Sequence, residues 1–227
     1  MFEPVIKYTY MDIKLYQIVY KPEQIDREEE FTLYDNSHNN CDKLHNHREY
    51  PAFLEAYKTG ACSTSDYTGM LSWKFGKKTG WSGKQLTDAI NISGDQEVYF
   101  INCGPGVKDV WSHGERRHPG ITSIVQEVFD RLNIKIDISK IHHDISKTCF
   151  CNYWVGTSLF WDKYIEFSEP VYSYLAYDAS PQLKDRIYTK ADRGITCGYI
   201  PFIMERMFTT LLCIDRSITY KSFSKIK

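Results

Sequence analysis

Short runs rich in β-branched and aromatic residues alternate with helical stretches along this chain, and that alternation restricts its fold more than any other feature. Ile13 to Tyr20 reads as a first strand that stops at Lys21-Pro22. Lys21 to Arg48 reads as a long polar loop around Tyr34-Asp35-Asn36, and loops of that length in compact domains often carry function. Glu49 to Lys58 predicts a short helix closed by Gly60, and Asp66 to Phe75 a second strand. Ser82 is placed to cap a helix through about Ile90. Glu97 to Asn102 then reads as a third strand, ended by Cys103-Gly-Pro-Gly106. Pro119 opens an amphipathic helix with Ile121, Ile124, Val125, Val128, Phe129 and Leu132 on one side. Phe150 to Val155 predicts a fourth strand, and Leu159 to Ile165 a helix that Glu169-Pro170 breaks or restarts. Gly198 to Leu212 reads as a further helix and Ile218 to Tyr220 as a short last strand. Such alternation predicts one α/β domain over residues 1–227, with a mostly parallel central sheet, helices on both faces, and Ile18, Val98, Phe100 and Ile124 buried.

Composition narrows the partners. The chain has 227 residues, 42% of them hydrophobic, enough for one sizeable core. Lys and Arg total 28 against 29 Asp and Glu, so no global field draws the chain to nucleic acid, and any anionic ligand must be held locally. Seven cysteines show no C-x-x-C pair, which predicts free thiols in a reducing compartment. Cys149-Phe-Cys151 with His142 and His143 lacks the spacing of a zinc knuckle, so no structural zinc is expected. No apolar run approaches the ~20 residues that span a bilayer. Met1-Phe-Glu-Pro lacks the pattern of a signal peptide. The expectation is a cytoplasmic protein without a transmembrane segment, for which peripheral membrane association stays open.

Chemistry is sought at the strand ends, because ligands of open α/β sheets bind outside the carboxyl ends of the strands. Those positions are polar here: Asp35 and Asn36 after strand one, Asp66 and then Trp73, Lys74, Lys77 and Lys78 around strand two. Asn102, Asp109, Trp111, His113, Glu115, Arg116, Arg117 and His118 follow strand three, and Asn152, Tyr153 and Trp154 lie within strand four. Taken singly, each reads as readily as a turn residue or a solvated charge. Together, aromatic faces with amide, carboxylate and basic edges suit a polar ring-shaped ligand such as a sugar or nucleotide. The helix Gly198 to Leu212 adds one acid, Glu205, at the edge of an otherwise apolar face, next to Arg206. That carboxylate is either neutralised by Arg206 or aimed into a cleft. The Rossmann, P-loop, hydrolase-elbow and zincin motifs are all absent from the sequence.

Three stretches carry a resemblance: Asp66-Tyr-Thr-Gly-Met-Leu-Ser-Trp-Lys-Phe75, Phe150-Cys-Asn-Tyr-Trp-Val-Gly-Thr-Ser-Leu-Phe-Trp-Asp-Lys-Tyr164, and the helix from Met204 to Leu211. In their order the chain resembles bacterial glycosyltransferases of the GT-A type that build surface polysaccharides such as capsule and O-antigen, over the span Ile13 to Leu212. The resemblance implies transfer of a sugar from a nucleotide-diphosphate donor to a hydroxyl of a glycan or lipid-linked acceptor. Under it, Asp66, Glu115 and Glu205 are the catalytic candidates. Asp35, Trp73, Lys74, Asn102, His113, Arg116, His118 and Asn152 are the candidates for binding donor or acceptor. It also implies magnesium or manganese on a D-x-D tripeptide, which this sequence lacks; Asp95-Gln96-Glu97 precedes its strand instead of following it. Two other readings stay open: a carbohydrate- or protein-binding module without chemistry, and a different polysaccharide-modifying enzyme with His113 or His118 as base.

Overall fold

The computed structural model describes residues 10–25, 30–39, 45–191 and 197–226. Six strands form one sheet: β1 (Ile13–Val19), β2 (Phe31–Asp35), β3 (Tyr67–Ser72), β4 (Val98–Asn102), β5 (Trp154–Gly156) and β6 (Tyr220–Ser224). Their spatial order is β2-β1-β3-β5-β4-β6. β1 pairs in parallel with β2 and β3, and β4 with β6, while β5 runs antiparallel to both of its neighbours. The predicted mostly parallel α/β sheet is therefore present.

The strands sort their residues by the two-residue period of the pleat. Val98, Phe100, Met70, Ile18 and Trp154 point to one face, where they join a large core with α1 (Tyr50–Lys58), α4 (Val110–Arg117), α5 (Ile121–Arg131), α6 (Ser158–Ser173), α7 (Pro181–Ile187) and α8 (Ile200–Ile214). Tyr99, Ile101, Leu71, Leu15 and Val155 point to the other, against α2 (Phe75–Thr79) and α3 (Gly83–Asn91). Helices thus cover both faces, and Ile18, Val98, Phe100 and Ile124 are buried as predicted. Ser82 caps α3 with a full capping box to Gln85. No helix among the described residues is long and apolar enough to cross a membrane. Six cysteines fall among the described residues and form no disulfide; Cys41 lies outside them.

Four local expectations are corrected. The predicted loop from Lys21 to Arg48 contains β2, an edge strand whose residues are half-buried or exposed and so carry little hydrophobic alternation to read. The second strand ends at Ser72, and Phe75 begins α2 instead. The predicted fourth strand starts only at Trp154, because Cys151 and Asn152 take left-handed backbone (φ 65° and 53°) and make a turn. Pro170 does not break α6; one missing rung is tolerated inside a helix that buries Val171 and Tyr172, and the chain continues as a π turn from Tyr174 to Asp178.

Candidate functional site

The chain leaves β1 for β2 on one side and returns to β3 on the other, so the topological switch point lies between β1 and β3. A two-lobed cleft occupies that point, at the carboxyl ends of both strands. The inner lobe, about 340 Å³, is lined by Arg48 and Glu49 before α1, Ser72 and Lys74 after β3, Lys78 of α2, Cys151 and Asn152 before β5, and Pro201, Phe202 and Glu205 of α8. The outer lobe, about 260 Å³, shares Arg48, Glu49, Ser72, Lys74 and Lys78 and adds Tyr20, Lys21, Gln24, Asn46 and Trp73.

Local strain concentrates here. Among the described residues four besides glycine have positive φ, and three of them, Arg48, Cys151 and Asn152, line the cleft. Such backbone persists only where the surroundings hold it, and it gathers at binding and catalytic sites. Glu205 supplies one restraint: its Oε1 accepts a hydrogen bond from the Cys151 amide at 2.7 Å. Lys78 donates to the Cys151 sulfur at 3.1 Å. Asn152 is buried, and its Oδ1 has no protein partner among the described residues, which leaves an acceptor for a ligand.

Glu205 and Arg206 separate in function because adjacent helical residues point about 100° apart. Arg206 is fully buried, donating Nε to the Val110 carbonyl at 3.0 Å and Nη1 to the Phe202 carbonyl at 2.7 Å. Its contact with Glu205 Oε2 is 3.5 Å, too long for a strong hydrogen bond. Arg206 therefore pins α8 to α4, and Glu205 turns to the cleft.

Three cations, Arg48, Lys74 and Lys78, face two carboxylates, Glu49 and Glu205. Burial pushes the Glu49 carboxyl above the usual carboxylate range, against the pull of Arg48 and Lys78, and Glu205 pushes the same way as burial. Burial alone would lower Lys78, but the Cys151 sulfur and the Glu205 and Glu49 carboxylates outweigh it and hold the ammonium above its ordinary value. A raised folded pKa means that ionised Glu49 costs stability, a cost absent below the ordinary 4.5 and full above the raised value. Glu49→Gln is therefore expected to raise the melting temperature at pH 7, with the gain shrinking to nothing as the pH falls below that ordinary value. Melting curves of both proteins across that range check it; a gain that grows toward acid refutes the assignment.

Of the residues singled out from sequence, Glu205, Asn152, Trp73, Lys74 and Lys78 meet at this cleft. Others do not reach it. Asp66 stands at the amino end of β3, the opposite edge of the sheet, and accepts from the Asp12 amide at 2.8 Å. Glu115 caps α5 instead, taking the Gly120 amide at 2.6 Å and both the amide and hydroxyl of Thr122. Partial burial would raise that carboxyl, but these hydrogen bonds outweigh it and hold it below the usual range. Asp35 accepts from the Ser37 amide at the exposed end of β2. Asn102 closes the turn after β4, bonding the Gly104 amide and the Ile145 carbonyl. Arg116 is exposed on the last turn of α4. His113 packs on Phe150, and burial followed by Arg206, Arg117 and Arg116 lowers its pKa. His118 is buried behind the cleft wall, stacked on Phe202 at 3.7 Å. Asp95 and Glu97 lie before β4, where Glu97 pairs with Lys163 at 2.9 Å. Sequence reasoning missed Arg48, Glu49 and Cys151. The signal that could have found the first two is their place immediately before the helix that follows the long polar loop.

No family model and no curated protein matches the sequence. The fold does find a counterpart among solved structures: WbbM, a bifunctional glycosyltransferase in its apo form, with a TM-score of 0.61 at 16% identity. In fold, this chain is similar to a glycosyltransferase. The match covers 95% of this chain and 45% of that one, so the chain spans less than half the length of the protein it resembles.

Proposed function

We propose that this chain is a nucleotide-sugar-dependent glycosyltransferase of GT-A-like type acting in surface polysaccharide synthesis. The observation that carries the reading is the cleft at the β1/β3 switch point, where Arg48, Lys74 and Lys78 stand with Glu205 and Glu49 on a fold similar to that of WbbM. The outer lobe, with Tyr20 and Trp73, suits the flat nucleoside. The shared cations suit the diphosphate, whose growing negative charge they offset as the sugar departs. The inner lobe then receives the sugar and the acceptor hydroxyl, between Asn152, Phe202 and Glu205.

In this arrangement the acceptor oxygen attacks the anomeric carbon as the bond to the diphosphate breaks, and a base takes the acceptor proton. Position selects Glu205 over Glu49 for that role. Glu205 lines only the inner lobe, on a rigid helix, with Oε1 fixed by the Cys151 amide and Oε2 held no closer than 3.5 Å by Arg206. Glu49 lines both lobes beside the cations, and burial disfavours its charged form. The test is a panel of nucleotide sugars with thermal melting and release of nucleoside diphosphate as readouts. Stabilisation and turnover by one donor are expected. Stabilisation by glycans alone would replace this reading with that of a carbohydrate-binding module.

A further inference from the structure

We infer that Arg48, Lys74 and Lys78 hold the donor diphosphate without a divalent cation, an inference that rests on the nucleotide-sugar reading above. GT-A transferases, which the chain resembles, imply magnesium or manganese on a pair of carboxylates beside the diphosphate, and the residues at this cleft do not fit that ion. Such cations take a shell of oxygen ligands with ionised carboxylates in it. Glu205 already spends one oxygen on the Cys151 amide. Glu49 resists ionisation, which opposes metal binding. No cluster of three His, Cys, Asp or Glu placed to hold a metal occurs among the described residues.

The strand tip offers the opposite chemistry. β3 runs out into Trp73 and Lys74, and the Lys74 ammonium lies 4.7 Å from the centre of the Trp73 ring. That contact steadies the cation without neutralising it. Lys78, one turn along α2, is fixed by the Cys151 sulfur and held charged by its neighbours. Arg48, just before α1, lines both lobes on strained backbone (φ 57°), its Nη2 donating to the Cys197 sulfur at 3.6 Å. A polyphosphate between these groups receives charge-assisted hydrogen bonds from three directions, the role a metal would otherwise fill. The ligand class is thus a nucleoside diphosphate, distinguished from a monophosphate by the second phosphate.

Calorimetric titration with uridine, guanosine and cytidine diphosphates and the matching monophosphates, in EDTA and in magnesium or manganese, tests this directly. One diphosphate is expected to bind equally well in EDTA and in metal, and more tightly than its monophosphate. Lys74→Gln and Lys78→Gln are each expected to weaken it by about 10- to 100-fold, the worth of one hydrogen bond to a charged group. Both should leave the monophosphate less affected, Lys74→Gln should leave the melting temperature unchanged, and Lys74→Arg should recover much of the loss. Diphosphate binding that appears only with the metal, or lysine variants that bind like the parent, overturns this inference and leaves the donor reading standing. Failure of every nucleotide in both buffers overturns the two together.

Discussion

Glu205→Gln is expected to lower turnover about 10²- to 10⁴-fold, the usual worth of a general base, while the melting temperature barely moves. The amide keeps the shape and an acceptor oxygen for the Cys151 N–H, so the left-handed turn at Cys151 and Asn152 stays in place. What goes is the charge that takes the acceptor proton. Donor affinity should change much less than turnover, since the cations that hold the diphosphate are untouched. Two other acids make controls. Asp66→Asn, at the far edge of the sheet, should leave turnover as it is. Glu115→Gln should weaken the cap of α5 and reduce stability by about 0.5–2 kcal/mol without a specific loss of activity. A Glu205→Gln protein with near-normal turnover, or one that unfolds, removes Glu205 from the mechanism.

These three carboxylates show what a sequence reveals and what it withholds. The sheet was legible because its central strands carry apolar residues on both faces, and nothing but a covered sheet accommodates runs such as Val98 to Ile101. β2 was hidden because an edge strand need not bury either face. Glu205 stood out because a carboxylate in an apolar helix costs stability unless it has a partner or a use. Its partner, the Cys151 amide 54 residues away, is a product of tertiary structure and leaves no local trace. Asp66 and Glu115 were candidates by their position near strand ends, Glu205 by its place on an apolar helix. Which end matters, though: Asp66 opens its strand, and Glu115 sits in a helix, α4, for which the sequence reading placed no element. Arg48 and Glu49 escaped because their role depends on α1 docking beside β3, which no periodicity encodes.

Trp154→Ala is expected to cost about 3–5 kcal/mol and to disturb the site from behind. Trp154 is 1% exposed and lies in the short antiparallel strand β5, between the two parallel parts of the sheet. It packs on Trp161 of α6 at 4.4 Å, on Phe53 of α1 at 5.6 Å, and stacks on Phe208 of α8 at 5.6 Å. Phe208 lies one turn after Glu205, so α8 grips the same short segment twice: its carboxylate holds the Cys151 amide, and its ring covers Trp154. Emptying the Trp154 position removes the second grip. For a chain of this length the loss corresponds to a melting temperature lower by roughly 6–20 °C. At temperatures where the variant is still folded, diphosphate affinity and turnover should both fall, unlike the split expected for Glu205→Gln. Trp154→Phe is the sharper comparison. The indole Nε1 is buried with no partner among the described residues, so phenylalanine keeps an aromatic ring in the stack and removes an unsatisfied donor. Its cost should be well below that of alanine, with activity retained. Equal losses in the two variants would mean that the indole itself, through a bonded partner, holds β5 in place.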